Sequence, residues 1–570
     1  MPKRRSFSLL VGLVAGGALA AIHAGCGSSD NGSTFTQDSG AGGSDTGTGT
    51  EGGPGFGGDG STGPFADFPA TPIIDGAGDG GPAAPANAST LFGAATASDA
   101  GADAPCLVEN EVGSLLPKNW LRPRFGWQAG GGENLFEIRV HADNQINDLV
   151  VYTTQNNWIM PLTMWSALAR DSAGVPMTVS VRGAVFDGTN ITSLAQGSTG
   201  PFGIAPVDAP GAIVYWHIIG GSDGELKGFN IGDDNVELAL PAASVTEYSA
   251  TCVGCHVSTP DGKYAVFSSN SASSTWADGI GAVTTNPDGG GAGATPSFLS
   301  AAGQTALQTD SMGIMTTSIA HWAAGDYMVL ASSVDNLSLH WVELDGADQA
   351  HASGTLPITS GDPNSNHVSP SWSHDGMNVV YGSAPQSTAG RPNGPNNDIY
   401  MVPYNNRAGG AAKPMLNINT TDNEYYPSFS PDDKLITFNR SANADGCYSV
   451  PSAEVFVAKA DGTGTSTRLV ANDPPACANR PSPGVTNSWP RWAPAKPAPQ
   501  TVGGLTYYWV VFSSKRYDGT TPQLYMAPVV VDATGNVQPY KALYLWNQPP
   551  DEKNHTPAWD VFAIPPTPPR

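Results

Sequence analysis

From Cys106 onward, apolar and polar residues alternate with a period of two, in short runs broken by Gly, Asn, Asp and Pro. ENLFEIRVHA, DLVVYTT and MTVSVRGAVF show the pattern early; AIVYWHI, NDIYMVPY, AEVFVAKADG and PQLYMAPVVVD carry it through the second half. Period-two alternation bounded by turn residues marks half-buried β-strands, whereas an amphipathic helix needs a period of 3.6. The chain therefore reads as all-β. Trp120, Phe125 and Trp127 alternate with polar residues and read as core or edge packing.

The second half also repeats itself. VSPSWSHDGMNVVYG (368–382), YYPSFSPDDKLITFN (425–439), SWPRWAPA (488–495), HTPAWDVF (555–562) and the weaker STPDGKYAVFSS (258–269) and IAHWAAGDYMVLAS (319–332) form six units. Each gives a Pro or turn, an aromatic, a tight Asp/Gly turn and then a strand. With partner strands between them, each unit supplies one small antiparallel sheet, the blade of a β-propeller. The PSWSxDG signature resembles the TolB-type propeller family, which implies one blade per unit over residues 206–570. The sixth unit has only one strand before the chain ends in PPTPPR. Its outer strands are expected from GAIVYWHI, GELKGFNI and NVELAL, which precede Cys252, so that the two ends close the ring and leave no exposed edge.

Residues 106–205 have the strand rhythm of a β-sandwich and resemble immunoglobulin or fibronectin-type modules in that rhythm alone. Gly220 to Gly224 matches GxSxG, but the pattern lies between two strands rather than at a strand-to-helix elbow, so it reads as a hairpin loop. The fold expected is a sandwich followed by a six-bladed propeller.

Composition extends the picture at the N-terminus. MPKRR and the apolar run from Phe7 to Ile22 make residues 1–25 an export signal. His23-Ala24-Gly25-Cys26 resembles the lipobox of bacterial lipoproteins, which implies a lipid on Cys26, and Gly27 implies outer-membrane sorting. Arg4-Arg5-Ser6-Phe7 resembles a twin-arginine signal. Residues 26–105 are Gly, Ser, Thr, Asp and Ala with few aliphatics, and predict a disordered stalk. The formal charge of −24 excludes nucleic acid as a partner. A monomer tethered to the bacterial cell envelope is expected, with the membrane and an unknown redox or protein partner as its contacts.

The chemistry concentrates at CVGCH, Cys252 to His256, in a chain with six cysteines. Two thiols at this spacing can hold a haem c by thioethers while the adjacent histidine ligates iron, so Cys252 and Cys255 are the expected attachment points and His256 the proximal ligand. If CVGCH stands at the start of the first inner strand, matching positions in other blades should wall the pocket. These are His367, Tyr425, Tyr426, Trp489 and His555, with His367 or His555 as distal ligand and Met312 or Met315 as poorer candidates. Cys447 and Cys477 flank one hairpin and are the expected disulfide, with Cys106 left over. The loops at Asp432-Asp433 and Gly232-Asp233-Asp234 are candidates for calcium, without a complete ligand set. Two functions stay open: an exported c-type cytochrome for electron transfer or small-molecule redox chemistry, or a non-enzymatic envelope binding or scaffold propeller in which CVGCH is a structural disulfide.

Overall fold

The computed structural model describes residues 63–76, 82–97, 104–219, 223–246, 249–271, 276–284, 290–348, 352–447 and 449–566. The export signal and Cys26 lie outside them. Among the described residues, no helix is long and apolar enough to cross a membrane.

The chain folds as a β-sandwich followed by a six-bladed propeller. Four consecutive blades are antiparallel sheets, four-stranded in blades 2 to 4 and five-stranded in blade 5, with inner strands Ser311–Thr317 (blade 2), Asn366–Trp372 (blade 3), Asn423–Phe429 (blade 4) and Ser488–Trp492 (blade 5). Blade 1 begins with Ala250–Ser258, which carries CVGCH, and continues through Tyr264–Ser271 and Trp276–Ala282. Blade 6 is composite. Its inner strand Lys553–Asp560 pairs with Ala212–Ile219, which pairs with Asp223–Asn230 and then Glu237–Leu240. The last strand of the propeller is thus flanked by its first three. The six inner strands pack side by side around one axis and close the circle. Ile219 pairs with Asp223, so antiparallel strands flank the GxSxG segment and no helix follows it; Gly220, Gly221 and Ser222 themselves lie outside the described residues.

The SxDG signature has a local physical cause. In blade 3 the Ser373 hydroxyl donates to Asp375 (2.6 Å) and accepts from the Asn378 N–H (2.9 Å). Ser430 with Asp432 and Leu435, and Thr259 with Asp261 and Tyr264, repeat the arrangement. Each hydroxyl stitches the turn between inner and second strand. Blade 2 differs: the short helix Ile319–Ala323 replaces the turn, and the Gly325-Asp326 bend lies beyond it.

The first domain comprises a six-stranded and a three-stranded sheet, with Trp120, Phe125 and Trp127 buried in its core. That core runs without a break into the propeller, through Tyr215 and Trp559 of blade 6 and Trp509 and Met526 of blade 5. The stalk expectation is corrected for part of its length. Residues 63–76 and 82–97 fold onto this domain: Ile73–Ile74 adds a parallel strand, and Ala88–Ala94 is a helix that buries Phe92. A few well-spaced aromatics, Phe68 and Phe92 among them, supply enough burial to order a Gly-rich segment.

The disulfide is also corrected. Cys477 bonds Cys106, not Cys447, and so joins the propeller to the sandwich across 371 residues. Cys447 is a free, buried thiol that accepts from Asn397 Nδ2 (3.1 Å). Cys477 instead occupies the turn Ala476–Ala478, which packs on the strand Cys106–Glu109.

Two outcomes test this architecture. Deleting 553–570 removes the inner strand of blade 6 and bares the edge of Ala212–Ile219 and the faces of blades 5 and 1 packed against it, so the truncated chain should lose its cooperative thermal transition by circular dichroism. Near the interface, burial pushes the Glu111 carboxyl up to about 8, against the pull of Lys541 and Arg516. A folded-state value above the unfolded one contributes stability that is full below the unfolded pKa and is lost as pH rises through about 8. The melting temperature should fall over that window, and Glu111→Gln should flatten the fall.

Candidate functional site

Every inner strand breaks its ladder near the axis. The register slips between Gly254 and His256, Met312 and Thr316, Val368 and Ser371, Tyr425 and Ser428, Ser488 and Arg491, and opposite Val214–Trp216 in blade 6. At the slip, Ser369, Tyr426, Trp489 and Thr556 adopt positive φ, and each is followed by proline. Proline fits because the interrupted ladder asks no N–H of it. Holding a non-glycine residue there costs on the order of 1 kcal/mol. Counting back from the stitched turn hydroxyls Thr259, Ser373 and Ser430, Cys255 falls in step with Ser369 and Tyr426, and His256 with Pro370 and Pro427. CVGCH is therefore this chain's first-blade version of the x-Pro step.

These slipped residues plug the axis. Cys255 packs against a buried cluster of Ile314, Tyr425, Tyr426, Cys447 and Trp489. The Tyr426 ring lies 4.9 Å from Tyr425 and 4.7 Å from Trp489. Burial raises the Cys255 thiol above its usual range and pushes Cys447 up to about 12, so both are protonated thiols rather than thiolates at neutral pH.

Beyond the plug, toward the face bearing the stitched turns, a channel of about 110 Å³ opens. Its next layer takes one residue from each blade: Val257, Thr316, Ser371, Ser428, Arg491 and Ala558. The hydroxyls tie neighbouring blades, since Thr316 Oγ1 accepts from the Trp372 N–H (3.1 Å) and Ser371 Oγ from the Phe429 N–H (3.3 Å). Arg491 is the exception in charge. Its Nη1 donates to the Pro490 carbonyl (2.9 Å), and its guanidinium carbon lies 4.9 Å from the Trp489 ring centre. No carboxylate among the described residues pairs with it. Burial pushes it down to about 10, which leaves it charged at neutral pH. Nearer the opening, burial pushes Asp560 up to about 6, and His374 is held by Asp433 (2.7 Å).

The residues expected to hold a haem are brought together only in part, and they do not fit one. Cys255 faces the axis, while Cys252 is wholly buried in the core between blades 1 and 6. The two sulfurs do not converge on one space. Since Cys255 is free, CVGCH is not an internal disulfide either. His256 lies in the strand with its Nε2 3.0 Å from the Val214 carbonyl, and burial pushes it down to about 4, so it is neutral and donates that hydrogen bond. His367 stands beside Asp362 (3.4 Å) and the Tyr381 ring, outside the axial cluster. His555 turns its Nδ1 to the Thr556 N–H (2.7 Å) and is pushed down to about 3 by burial. Neither histidine lines the channel. Cys255, His256 and Trp489 do line the channel, but its volume of about 110 Å³ is below the range of roughly 300–1,000 Å³ usual for small-ligand sites and too small for a porphyrin.

The calcium candidates are likewise committed within the protein. Asp432 accepts from Ser430 and Tyr508, Asp433 holds the His374 ring and backbone, Asp233 accepts from Asn230, and Asp234 pairs with Arg122. Sequence reasoning missed Arg491. The available signal was SWPRW, where a charged residue replaces the Ser of PSW and PSF in an inward-facing register.

No protein-family model matches the chain, and no curated protein does. Among solved structures it is similar to TolB from Acinetobacter baumannii, at 13% identity over 69% of this chain and 80% of that one, with a TM-score of 0.38. A putative TolB from Agrobacterium tumefaciens shares 15% identity over 61% of this chain and 98% of that one (TM-score 0.27), and Kuenenia stuttgartiensis hydrazine synthase 11% over 61% and 46% (TM-score 0.36).

Expressed with a cytochrome c maturation system, the protein should purify without reduced-haem absorption bands, and its mass should equal that of the polypeptide without covalent haem. A haem adduct on Cys252 and Cys255 would overturn this geometry.

Proposed function

We propose that this protein is an exported, non-enzymatic binding propeller of the cell envelope whose central channel receives a carboxylate-bearing segment of a partner. The observation that carries this reading is Arg491: a charged guanidinium in the wall of the channel that no carboxylate among the described residues pairs with. A planar guanidinium in a partly dehydrated site matches a carboxylate with two parallel hydrogen bonds. Ser428 and Ser371 stand in the same layer. Their hydroxyl hydrogens are not committed to any protein acceptor among the described residues and can donate to the same oxyanion. The narrowness of the channel suits a side chain or chain terminus rather than a whole small molecule.

The leader, the lipid on Cys26 and the envelope location rest on the sequence. The cytochrome reading is set aside because the thiols of CVGCH diverge.

The test is a tryptophan-fluorescence titration with short peptides, exploiting Trp489 beside Arg491. An acidic peptide should bind and its amide-capped Asn/Gln counterpart should not. Arg491→Gln should weaken binding by about 10- to 100-fold, the equivalent of losing a charge-assisted hydrogen bond of ~1.5–3 kcal/mol. Equal binding of both peptides, or no effect of Arg491→Gln, would sink the proposal.

A further inference from the structure

A second cavity, of about 380 Å³, lies between the sandwich and blade 5, far from the chemistry of the axis. The sandwich contributes Glu109 and the strand Arg124–Gln128; the propeller contributes Arg516, Tyr517, Tyr525 and Tyr544. Its size falls within the range of roughly 300–1,000 Å³ of small-ligand sites, and it sits at a domain interface, where such sites concentrate.

Four features of the wall define what it accepts. Tyr517 is 43% exposed although it stacks on Tyr544, with ring centres 5.3 Å apart and planes within 16°, so it presents a flat aromatic face to the cavity mouth. At the rim, the side-chain amides of Gln128, Asn156 and Asn157 make no hydrogen bond to the protein among the described residues. Deeper, Glu109 and Arg124 form an ion pair at 2.8 Å. Gly126 leaves room for that carboxylate, since a Cβ there would meet Glu109 Oε2 at 2.8 Å. Last, Arg516, which lines the cavity, carries a buried Nη1 donor with no hydrogen-bond partner among the described residues. An unsatisfied buried donor costs about 1–3 kcal/mol, which an acceptor in the cavity would recover.

We infer that this interdomain cavity is a saccharide-binding site. A sugar ring has an apolar C–H face to lay on Tyr517 and a rim of hydroxyls that both donate and accept, as amides, a carboxylate and unsatisfied N–H groups all require. Other classes fit less well. An organic cation would meet Arg516 and Arg124, a simple anion would meet Glu109, and an apolar ligand would strand the amides and the buried donor. The disulfide fixes the site's lip, because Pro474, Pro475 and Ala478 of the wall flank Cys477, and Glu109 ends the strand that Cys106 begins.

The experiment is saturation-transfer NMR on the full chain with glucose, N-acetylglucosamine and galacturonate at millimolar concentration. At least one sugar should show transfer to its ring protons. Tyr517→Ala should lower its affinity about tenfold or more, while Tyr517→Phe, which keeps the stacking face, should retain it. Tyr517 is half-exposed in a loop, and unchanged far-UV circular dichroism and melting temperature will show that its variants fold. Absence of transfer from all three sugars, or transfer indifferent to Tyr517→Ala, would overturn the inference.

Discussion

The molecule depends on closing its ring. Blades pack face to face, and a stack of them leaves two apolar faces bare unless the last one meets the first. Here the closure is made between strands, not merely between neighbouring blades. Lys553–Asp560 pairs with Ala212–Ile219, so hydrogen bonds of one sheet hold both ends of the propeller. His256 of blade 1 reaches the Val214 carbonyl of blade 6 and adds a tie at the same seam. The sandwich shares its core with blades 5 and 6 and buttresses that seam from outside.

Closure around a narrow axis forces the second feature. Six strands converging on one line cannot all keep a straight ladder and also fill the centre, and the register slips relieve the conflict by swinging one residue per blade into the axis. Large residues at two of these positions, Tyr426 and Trp489, plug it, and the layer beyond them remains open. The strain accepted at Tyr426 and Trp489 is therefore the counterpart of a channel with a floor.

Much of this was legible in the sequence because it recurs. The repeated Pro-aromatic-turn units gave six blades, and the missing outer strands of the sixth pointed to the segment before Cys252. What was not legible depends on which way a side chain faces. CVGCH reads as a haem site at the entry to the first inner strand, whereas that strand places Cys252 and Cys255 on different sides, and the slip puts His256 where other blades carry proline. The Cys106–Cys477 bond joins segments 371 residues apart, beyond anything a local hairpin argument can see. Composition misjudges residues 63–76 and 82–97 because the burial of Phe68 and Phe92 outweighs many glycines. Arg491 was hidden because charge at one position of a repeat gains meaning only once the repeat is known to face an axis.

The disulfide has a further consequence for the chain as a thread. It turns residues 106 to 477 into a covalent loop holding nearly all of the sandwich and blades 1 to 4, together with the three outer strands of blade 6. A single proteolytic cut inside that loop opens it without releasing either piece. A cut beyond Cys477 does free a piece, which carries blade 5 and the strand Lys553–Asp560 that closes the ring. Between Cys106 and Cys477 the protein is therefore guarded against nicking, and it is open to it on the side where its ring is fastened.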